Sequence, residues 1–143
     1  MLNLSFDIEL QQQMVKHGAI PKLVELIANE AYRPIVLKIL YHLSMTDKYR
    51  SLFNFTDAIP MIMKLILETP ADQFVGKELL ALAVNLAGNQ RSAEMMAEGE
   101  YLKLLIQRVK KTWDPLIMKL LRNISAHEGK VKDIFMVTAY VLS

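Results

Sequence analysis

The sequence predicts an all-α solenoid, a stack of similar helical units, and three observations support that fold class. A column of asparagine or histidine recurs at positions 3, 42, 85 and 123, in steps of 39, 43 and 38 residues. The dipeptide Ile-Pro recurs at 20–21 and 59–60, also 39 residues apart. Hydrophobic residues make up 52% of the 143, with only 5 glycines and 5 prolines. A period of about 40 residues in such a composition is typical of helical repeats, which bury their apolar faces against their neighbours.

Capping residues predict three helices in each unit, as one well-marked unit illustrates. Asp47 is placed to cap a short helix that ends near Asn54, and Asp57 to cap a second helix over residues 58–68. A longer third helix is expected over residues 72–87. Short, medium and long helices in that order are typical of armadillo repeats, whereas a HEAT unit has two helices of similar length. The predicted fold is therefore an armadillo-repeat, right-handed superhelical solenoid of three-helix units.

Prolines and glycines fall where such helices would begin and end. Pro60 lies in the first turn of its helix, where it removes no intrahelical hydrogen bond. Pro34 and Pro115 are expected to open third helices, and Asp114 precedes the latter as a cap. Four glycines are expected to let the chain turn at helix ends: Gly18, Gly88, Gly99 and Gly129.

The register of the repeats divides the chain into a single domain of five parts. Partial repeats are predicted at 1–5 and 128–143, and complete repeats at about 6–45, 46–88 and 89–127. Repeat arrays need polar caps at their ends, and neither terminus resembles one. We therefore expect a segment cut from a longer array, which self-associates through uncovered apolar residues. These residues are Leu4, Ile134, Phe135 and Val141.

Composition argues against several functional classes. Charged or amide side chains interrupt every apolar run before the roughly 18 residues that a membrane span needs. The N-terminus lacks the basic head and the cleavage site of a secretory signal. The chain has no cysteine, which excludes disulfides and thiol catalysis. We therefore expect a cytoplasmic protein without membrane insertion.

No catalytic, cofactor or metal site is predicted. His17, His42 and His127 lie in different units with no second ligand at helical spacing, which argues against a zinc site. The chain has no glycine-rich phosphate loop, and Glu98 and Glu100 are the solvated acids expected at a helix start. We therefore expect a protein that is not an enzyme and that has no cofactor and no small-molecule substrate.

Basic residues gather towards the C-terminal half, which keeps nucleic-acid binding open as an alternative. They are Arg108, Lys110, Lys111, Lys119, Arg122, Lys130 and Lys132. The formal net charge is only +2, acidic residues lie among these cations, and no aromatic residues alternate with them for base stacking. An acidic or mixed-charge protein is therefore the preferred partner.

The third helices are expected to carry the binding surface, because they line the concave side of a superhelix of three-helix units. Residues four apart share one face of a helix, which predicts a groove lined by Lys38, His42, Asn85, Lys119, Arg122 and Asn123. An asparagine amide can donate to and accept from the backbone of an extended peptide. Near a helix end the same side chain can instead satisfy local carbonyls. Both roles remain open for the Asn/His column.

Six stretches of the sequence carry a family likeness: LNLSFD, MVKHGAIPKLVELI, LYHLSMTDKYRSLF, IPMIMKLI, VNLAGNQRSAEMMAEG and DPLIMKLLRNISAHEG. Together they resemble the kinesin-associated protein family, the armadillo accessory subunits of heterotrimeric kinesin-II. The likeness extends over almost the whole chain and includes YHLSM at 41–45, where most armadillo proteins carry Asn instead of His. It implies a non-motor adaptor that binds kinesin-II motor tails and links them to cargo. Such a protein would act in intraflagellar or vesicular transport, at the cytoskeleton and in cilia.

Other armadillo scaffolds, of the nuclear-import or the adhesion type, remain alternatives. Nuclear-import adaptors carry a tryptophan four residues before the ladder asparagine, where it forms slots for lysine-rich signals. The corresponding positions here are Lys38, Ala81 and Lys119, so no slot forms and a basic cargo is repelled. Trp113 lies in a connector, where it is expected to pack against a helix end.

Overall fold

Ten helices follow one another in the computed structural model, which describes residues 7–142 apart from the side chains at 130, 141 and 142. They are α1 (Ile8–Lys16), α2 (Ala19–Leu26), α3 (Arg33–Ser44), α4 (Asp47–Arg50), α5 (Ala58–Glu68), α6 (Lys77–Leu86), α7 (Gln90–Met96), α8 (Tyr101–Thr112), α9 (Pro115–Ser125) and α10 (Lys130–Leu142). A 3₁₀ turn, Ser51–Phe55, continues α4. Residues 7–142 contain no strand, so the predicted all-α class is confirmed.

The helices follow a threefold order along the chain. First helices are α1, α4 and α7, second helices are α2, α5 and α8, and third helices are α3, α6 and α9. The third helices make the most extensive contacts, α3 against α6 and α6 against α9. The second helix α5 packs against α8, and α10 packs against α7, α8 and α9. The result is an armadillo-like helical solenoid, in which the repeat boundaries stay a prediction.

One hydrophobic core runs through the stack and fixes how the third helices face solvent. The second helix α5 buries Ile59, Ile62 and Ile66 completely, and their spacing of three and four residues marks a single helix face. Each third helix buries one stripe in the same way, with fully covered residues Leu40, Leu43, Leu80, Leu82, Leu86, Leu120 and Ile124. Burying one such side chain contributes about 1.5–3 kcal/mol. This packing leaves the opposite side of each third helix open to a partner.

The third helix α6 is shorter than the sequence predicts. It begins at Lys77 instead of residue 72 and has 10 residues, one fewer than the 11 of α5, so the expected order of lengths is wrong in this unit. Pro70 biases Thr69 towards the extended conformation in which α5 ends. Carbonyls of the connector that follows accept hydrogen bonds from Arg108. These bonds hold the connector in a non-helical form.

The predicted helix caps are only partly present. The Oδ1 of Asp114 accepts a hydrogen bond of 3.0 Å from the N–H of Leu116, the second residue of α9, as expected. Asp57 makes no capping bond, and the first N–H of α5 donates to Thr56 Oγ1 at 3.2 Å. Asp47 lies inside α4 and forms an ion pair of 2.7 Å with Arg50. The local sequence therefore predicts where a helix starts more reliably than it predicts which side-chain atom caps it.

Three of the four corner glycines have the left-handed backbone that their position requires. The φ angles of Gly18, Gly99 and Gly129 are +75°, +56° and +86°, a region that other residues rarely adopt. Gly88 has a different role, since a Cβ added there would lie 3.1 Å from the Nη1 of Arg50. Arg50 in turn donates from Nε to a carbonyl in the last turn of α3 at 2.9 Å. Gly88 therefore makes room for an arginine that joins two units.

Part of the predicted end patch is buried. Ile134 and Phe135 are half-buried against the core because α10 packs on α8 and α9, so the expectation that they lack partners is wrong. Leu4 and the side chain of Val141 lie outside the described residues. Large apolar side chains that α10 does expose are Met136, Val137 and Tyr140. Self-association through this end stays a prediction.

Candidate protein-binding surface on the third helices

The six predicted groove residues lie on three helices that pack side by side. We call the solvent-facing side of α3, α6 and α9 the third-helix face. Lys38, Lys119 and Arg122 are exposed there, and His42 and Asn85 are half-buried. Asn123, on α9, is half-buried as well. The structure thus places the residues on neighbouring elements, while their role in binding stays a prediction.

Asn85 and Asn123 each join a third helix to the one before it. The Asn85 Nδ2 donates to the Oγ of Ser44 at 3.1 Å, and that hydroxyl donates to the Tyr41 carbonyl at 2.6 Å. The Asn123 Nδ2 donates to the Val84 carbonyl at 3.0 Å. One amide hydrogen of each asparagine is thus committed to structure. The asparagine carbonyl oxygens make no hydrogen bond within the described residues, so they can still accept one from a bound peptide.

His127 continues this set of bonds between units. Its Nε2 lies 2.7 Å from the carbonyl of Ala87, 40 residues earlier in the chain. A carbonyl oxygen can only accept, so Nε2 carries the proton in this contact. The sequence analysis did not predict this bond, although a separation close to one repeat was the available signal.

His42 takes the place of asparagine in α3 and has a different electrostatic character. Its ring lies edge-on to that of Tyr41, with 5.3 Å between ring centroids and 65° between planes. Burial lowers the pKa of His42 below its ordinary value of 6.5, because desolvation disfavours the charged imidazole. His42 therefore adds no positive charge to the third-helix face at neutral pH.

We expect His42 to make the fold less stable in mild acid. A histidine whose folded pKa lies below its unfolded value stabilises the fold above the unfolded value, near 6.5, and that contribution is lost as pH falls through the folded pKa. Urea unfolding at pH 7.5 and pH 5 should therefore show a smaller pH difference for His42→Asn, which inserts the residue found in the other units. The control is His17→Asn, which removes an exposed histidine elsewhere on the chain. An unaltered difference in the His42 variant would contradict this.

A shallow depression between α3 and α6 contains Lys38 and Ala81, which occupy equivalent positions on the two helices. Its volume is about 170 Å³, and its lining residues are Lys38, Tyr41, Lys77, Glu78 and Ala81. Within residues 7–142, none of Lys38, Lys77, Lys119 and Arg122 forms an ion pair with a carboxylate. Unpaired cations outnumber acids on this face. It therefore suits a partner segment that carries carboxylates.

Sequence reasoning missed Lys77 and Tyr41 as lining residues. Lys77 lies 39 residues after Lys38, and this offset was the available signal. The predicted helix over residues 72–87 places Lys77 in mid-helix, whereas in the structure Lys77 is the first residue of α6. Tyr41 carries no sequence signal, since its half-buried position depends on how α3 and α6 pack.

Trp113 does not pack against a helix end as expected. Its side chain is 69% exposed, and its φ of +54° is the only positive value of a non-glycine residue in the described chain. The Trp113 N–H donates to the Val109 carbonyl at 2.8 Å, where α8 ends. The indole ring is therefore largely open to solvent or to a partner.

Neither a membrane span nor a metal centre can be assigned within residues 7–142. Each helix in that range is too short or too polar to cross a bilayer. The same range holds no group of three or more His, Cys, Asp or Glu residues placed to bind a metal ion.

Comparison with known proteins addresses the family likeness directly. No solved structure matches the chain. The family model described as kinesin-associated protein (KAP) matches residues 1–142, which confirms the resemblance that the sequence stretches carry. Proteins of this family are armadillo-type accessory proteins of kinesin, and the family is not known to be catalytic. Because the match extends over nearly the whole sequence, the chain belongs to the kinesin-associated protein (KAP) family.

Proposed function

We propose that this protein is a non-catalytic adaptor whose third-helix face binds an acidic, extended segment of a kinesin-II motor tail, and that it links the motor to cargo. Its place would be in the cytoplasm, on microtubules and in cilia, during intraflagellar transport. The observation that carries the proposal is the excess of cations on α3, α6 and α9 that have no carboxylate partner in the described chain. Family membership supplies the class of partner.

The geometry of stacked helices suits an extended peptide. Packed helices lie about 8–10 Å apart, and three residues of an extended chain span about 10 Å. A partner with a carboxylate at every third or fourth residue can therefore meet Lys38 on α3, Lys77 on α6 and Lys119 on α9 in turn. In this proposal the oxygens of Asn85 and Asn123 accept its backbone N–H groups, which gives affinity that does not depend on side-chain identity.

Binding competition tests the adaptor role. The full-length protein is mixed with the non-motor tails of the kinesin-II subunits, and a basic nuclear-import signal and an adhesion-protein tail are added separately as competitors. We expect retention of the motor tails in the presence of either competitor. Capture of the import signal or the adhesion tail in preference to the motor tails would contradict the proposal and favour another armadillo scaffold.

A labelled oligonucleotide tests the nucleic-acid alternative in the same assay. Attraction between cations and a phosphate backbone weakens steeply with salt. We therefore expect any oligonucleotide retention to disappear between low and physiological salt, while the motor tails stay bound. Oligonucleotide binding that survives physiological salt would contradict an exclusively protein-binding role.

A further inference from the structure

Two grooves of the same construction lie on another side of the molecule, between one second helix and the next. The first connector groove, of about 320 Å³, is lined by Ala28, Arg33, Met61, Lys64, Leu65 and Glu68. The second connector groove, of about 390 Å³, is lined by Leu67, Ala71, Leu104, Gln107, Arg108 and Lys111. Five residues of the second groove follow five of the first by 43 positions, as in 71 − 28 and 111 − 68. The groove is therefore a repeated feature of the solenoid.

An arginine fixes the connector wall in both grooves. In the first, the Arg33 Nε donates to the Ile27 carbonyl at 2.7 Å. In the second, Arg108 donates from Nη1 to the Thr69 carbonyl at 2.7 Å and from Nη2 to the Pro70 carbonyl at 2.8 Å. Arg108 is only 7% exposed. The second groove thus has a wall that is already ordered, which lowers the entropic cost of binding.

The two grooves differ in charge at one equivalent position. In the first, Lys64 and Glu68 face each other at 3.8 Å and offset one another. In the second, Lys111 replaces the glutamate and forms no ion pair within the described residues. The guanidinium of Arg108 bonds carbonyls and meets no carboxylate there. The first groove thus carries two cations, Arg33 and Lys64, and one acid, whereas the second carries Arg108 and Lys111 and no acid.

Exposed aromatic side chains flank the cationic groove. An adjoining cavity of about 370 Å³ shares Ala71 and Lys111 with it and adds Phe74, Asp72, Gln73 and Thr112 to its lining. Phe74 is 69% exposed, and so is Trp113, two residues after Lys111. The second groove thus combines an apolar floor with an unpaired ammonium group, and the exposed ring of Phe74 lines the cavity beside it.

We infer that the second connector groove, centred on Lys111, binds an acidic segment of a partner protein in which apolar side chains stand next to carboxylates. One apolar side chain lies on the floor made by Leu67, Ala71 and Leu104, and a neighbouring carboxylate pairs with the Lys111 Nζ. A second apolar side chain covers Phe74. This surface lies on second helices and a connector, so it is separate from the third-helix face and does not depend on the proposed function.

The first connector groove provides a control inside the same chain. It has a similar volume and equivalent residues, but its lysine already has a glutamate partner. Lys64→Glu is therefore the matched control for Lys111→Glu, since both alter an exposed lysine of a second helix. Glu68→Lys, in turn, removes the only acid of the first groove and places a lysine at the position equivalent to Lys111.

The test measures binding of a fluorescein-labelled peptide of alternating leucine and glutamate by fluorescence anisotropy. Charge reversal at an exposed ion pair removes one attraction and adds one repulsion, so we expect Lys111→Glu to weaken binding roughly tenfold. Lys64→Glu should leave the affinity unchanged, and Glu68→Lys should add a second binding site. Circular dichroism confirms that each variant keeps its helices, and the fluorescence of Trp113, the only tryptophan, should change on binding to the wild-type chain.

Three results would overturn the inference. The first is a wild-type chain that does not bind the peptide, and the second is a folded Lys111→Glu variant that binds it as tightly as the wild type. The third is loss of the peptide when Lys38, Lys119 and Arg122 are reversed while Lys111→Glu retains it. That third result would place the peptide on the third-helix face, so failure here is distinguishable from failure of the proposed function.

Discussion

Simultaneous change of Lys38, Lys119 and Arg122 to glutamate is expected to weaken binding of a kinesin-II motor tail about a hundredfold. Each exposed charge pair is worth up to about 1 kcal/mol, and reversal replaces attraction by repulsion at three places on α3 and α9. A combined loss of about 3 kcal/mol corresponds to that hundredfold change. All three side chains are exposed, so helicity and unfolding midpoint should stay close to those of the wild type. The measurement is anisotropy of a labelled tail peptide, with circular dichroism alongside.

A second triple variant separates this effect from a general change in net charge. Lys16, Lys22 and Lys48 are exposed, lie on first or second helices, and form no ion pair within the described residues. Their change to glutamate shifts the net charge by the same amount and should alter tail affinity only slightly. Equal loss in both triple variants would show a long-range charge effect instead of a groove. An unfolded third-helix variant would show that those positions are structural.

Arg108→Ala is expected to destabilise the fold by about 3 kcal/mol. The side chain is almost fully buried, and its guanidinium donates to three connector carbonyls at 2.7, 2.8 and 3.1 Å. A hydrogen bond from a charged donor contributes about 1.5–3 kcal/mol, and the cost of burying the charge offsets part of the sum. The Nε of Arg108 is buried without a partner in the described chain, which adds to that cost. Urea unfolding followed by circular dichroism measures the change.

Arg33→Ala is the matched control, because Arg33 holds the equivalent connector through one short bond of 2.7 Å and one long bond of 3.5 Å. It is only half-buried, so we expect a loss of about 1 kcal/mol. Arg108→Met retains most of the side-chain volume but none of the donors, and should be almost as unstable as Arg108→Ala. A loss below about 1 kcal/mol for both Arg108 variants would show that the connector does not depend on these bonds.

The parts of the fold that local periodicity determines could be predicted from the sequence. The second helix α5 spans Ala58–Glu68 as expected, because Asp57 and Pro60 mark its start. The start of α6 could not be predicted in this way. It depends on hydrogen bonds from Arg108, some 35 to 39 residues further along the chain, and no local pattern carries that information.

The candidate site, too, was predictable only where local periodicity determines it. Repeat spacing and the four-residue helix period were sufficient to place Lys38, Asn85 and Lys119 on neighbouring third helices. Pairing of charges was not predictable, since whether a lysine has a carboxylate within 4 Å depends on side-chain geometry. The connector grooves were missed for a further reason: Met61, Leu65 and Leu104 belong to ordinary apolar stripes of α5 and α8, and only the packed structure reveals the hollow between them.

The bonds from Asn85, Asn123 and His127 across neighbouring units bear on how the array responds to force. Each joins residues about one repeat apart, so the units on either side of these bonds cannot part without leaving a half-buried polar group unpaired. In a linear array with strong nearest-neighbour coupling, opening one interface is costly and unfolding becomes a collective event. A chain coupled in this manner withstands tension as one body up to a single yield point. Such a response would suit the role proposed above, between a moving motor and the load it pulls.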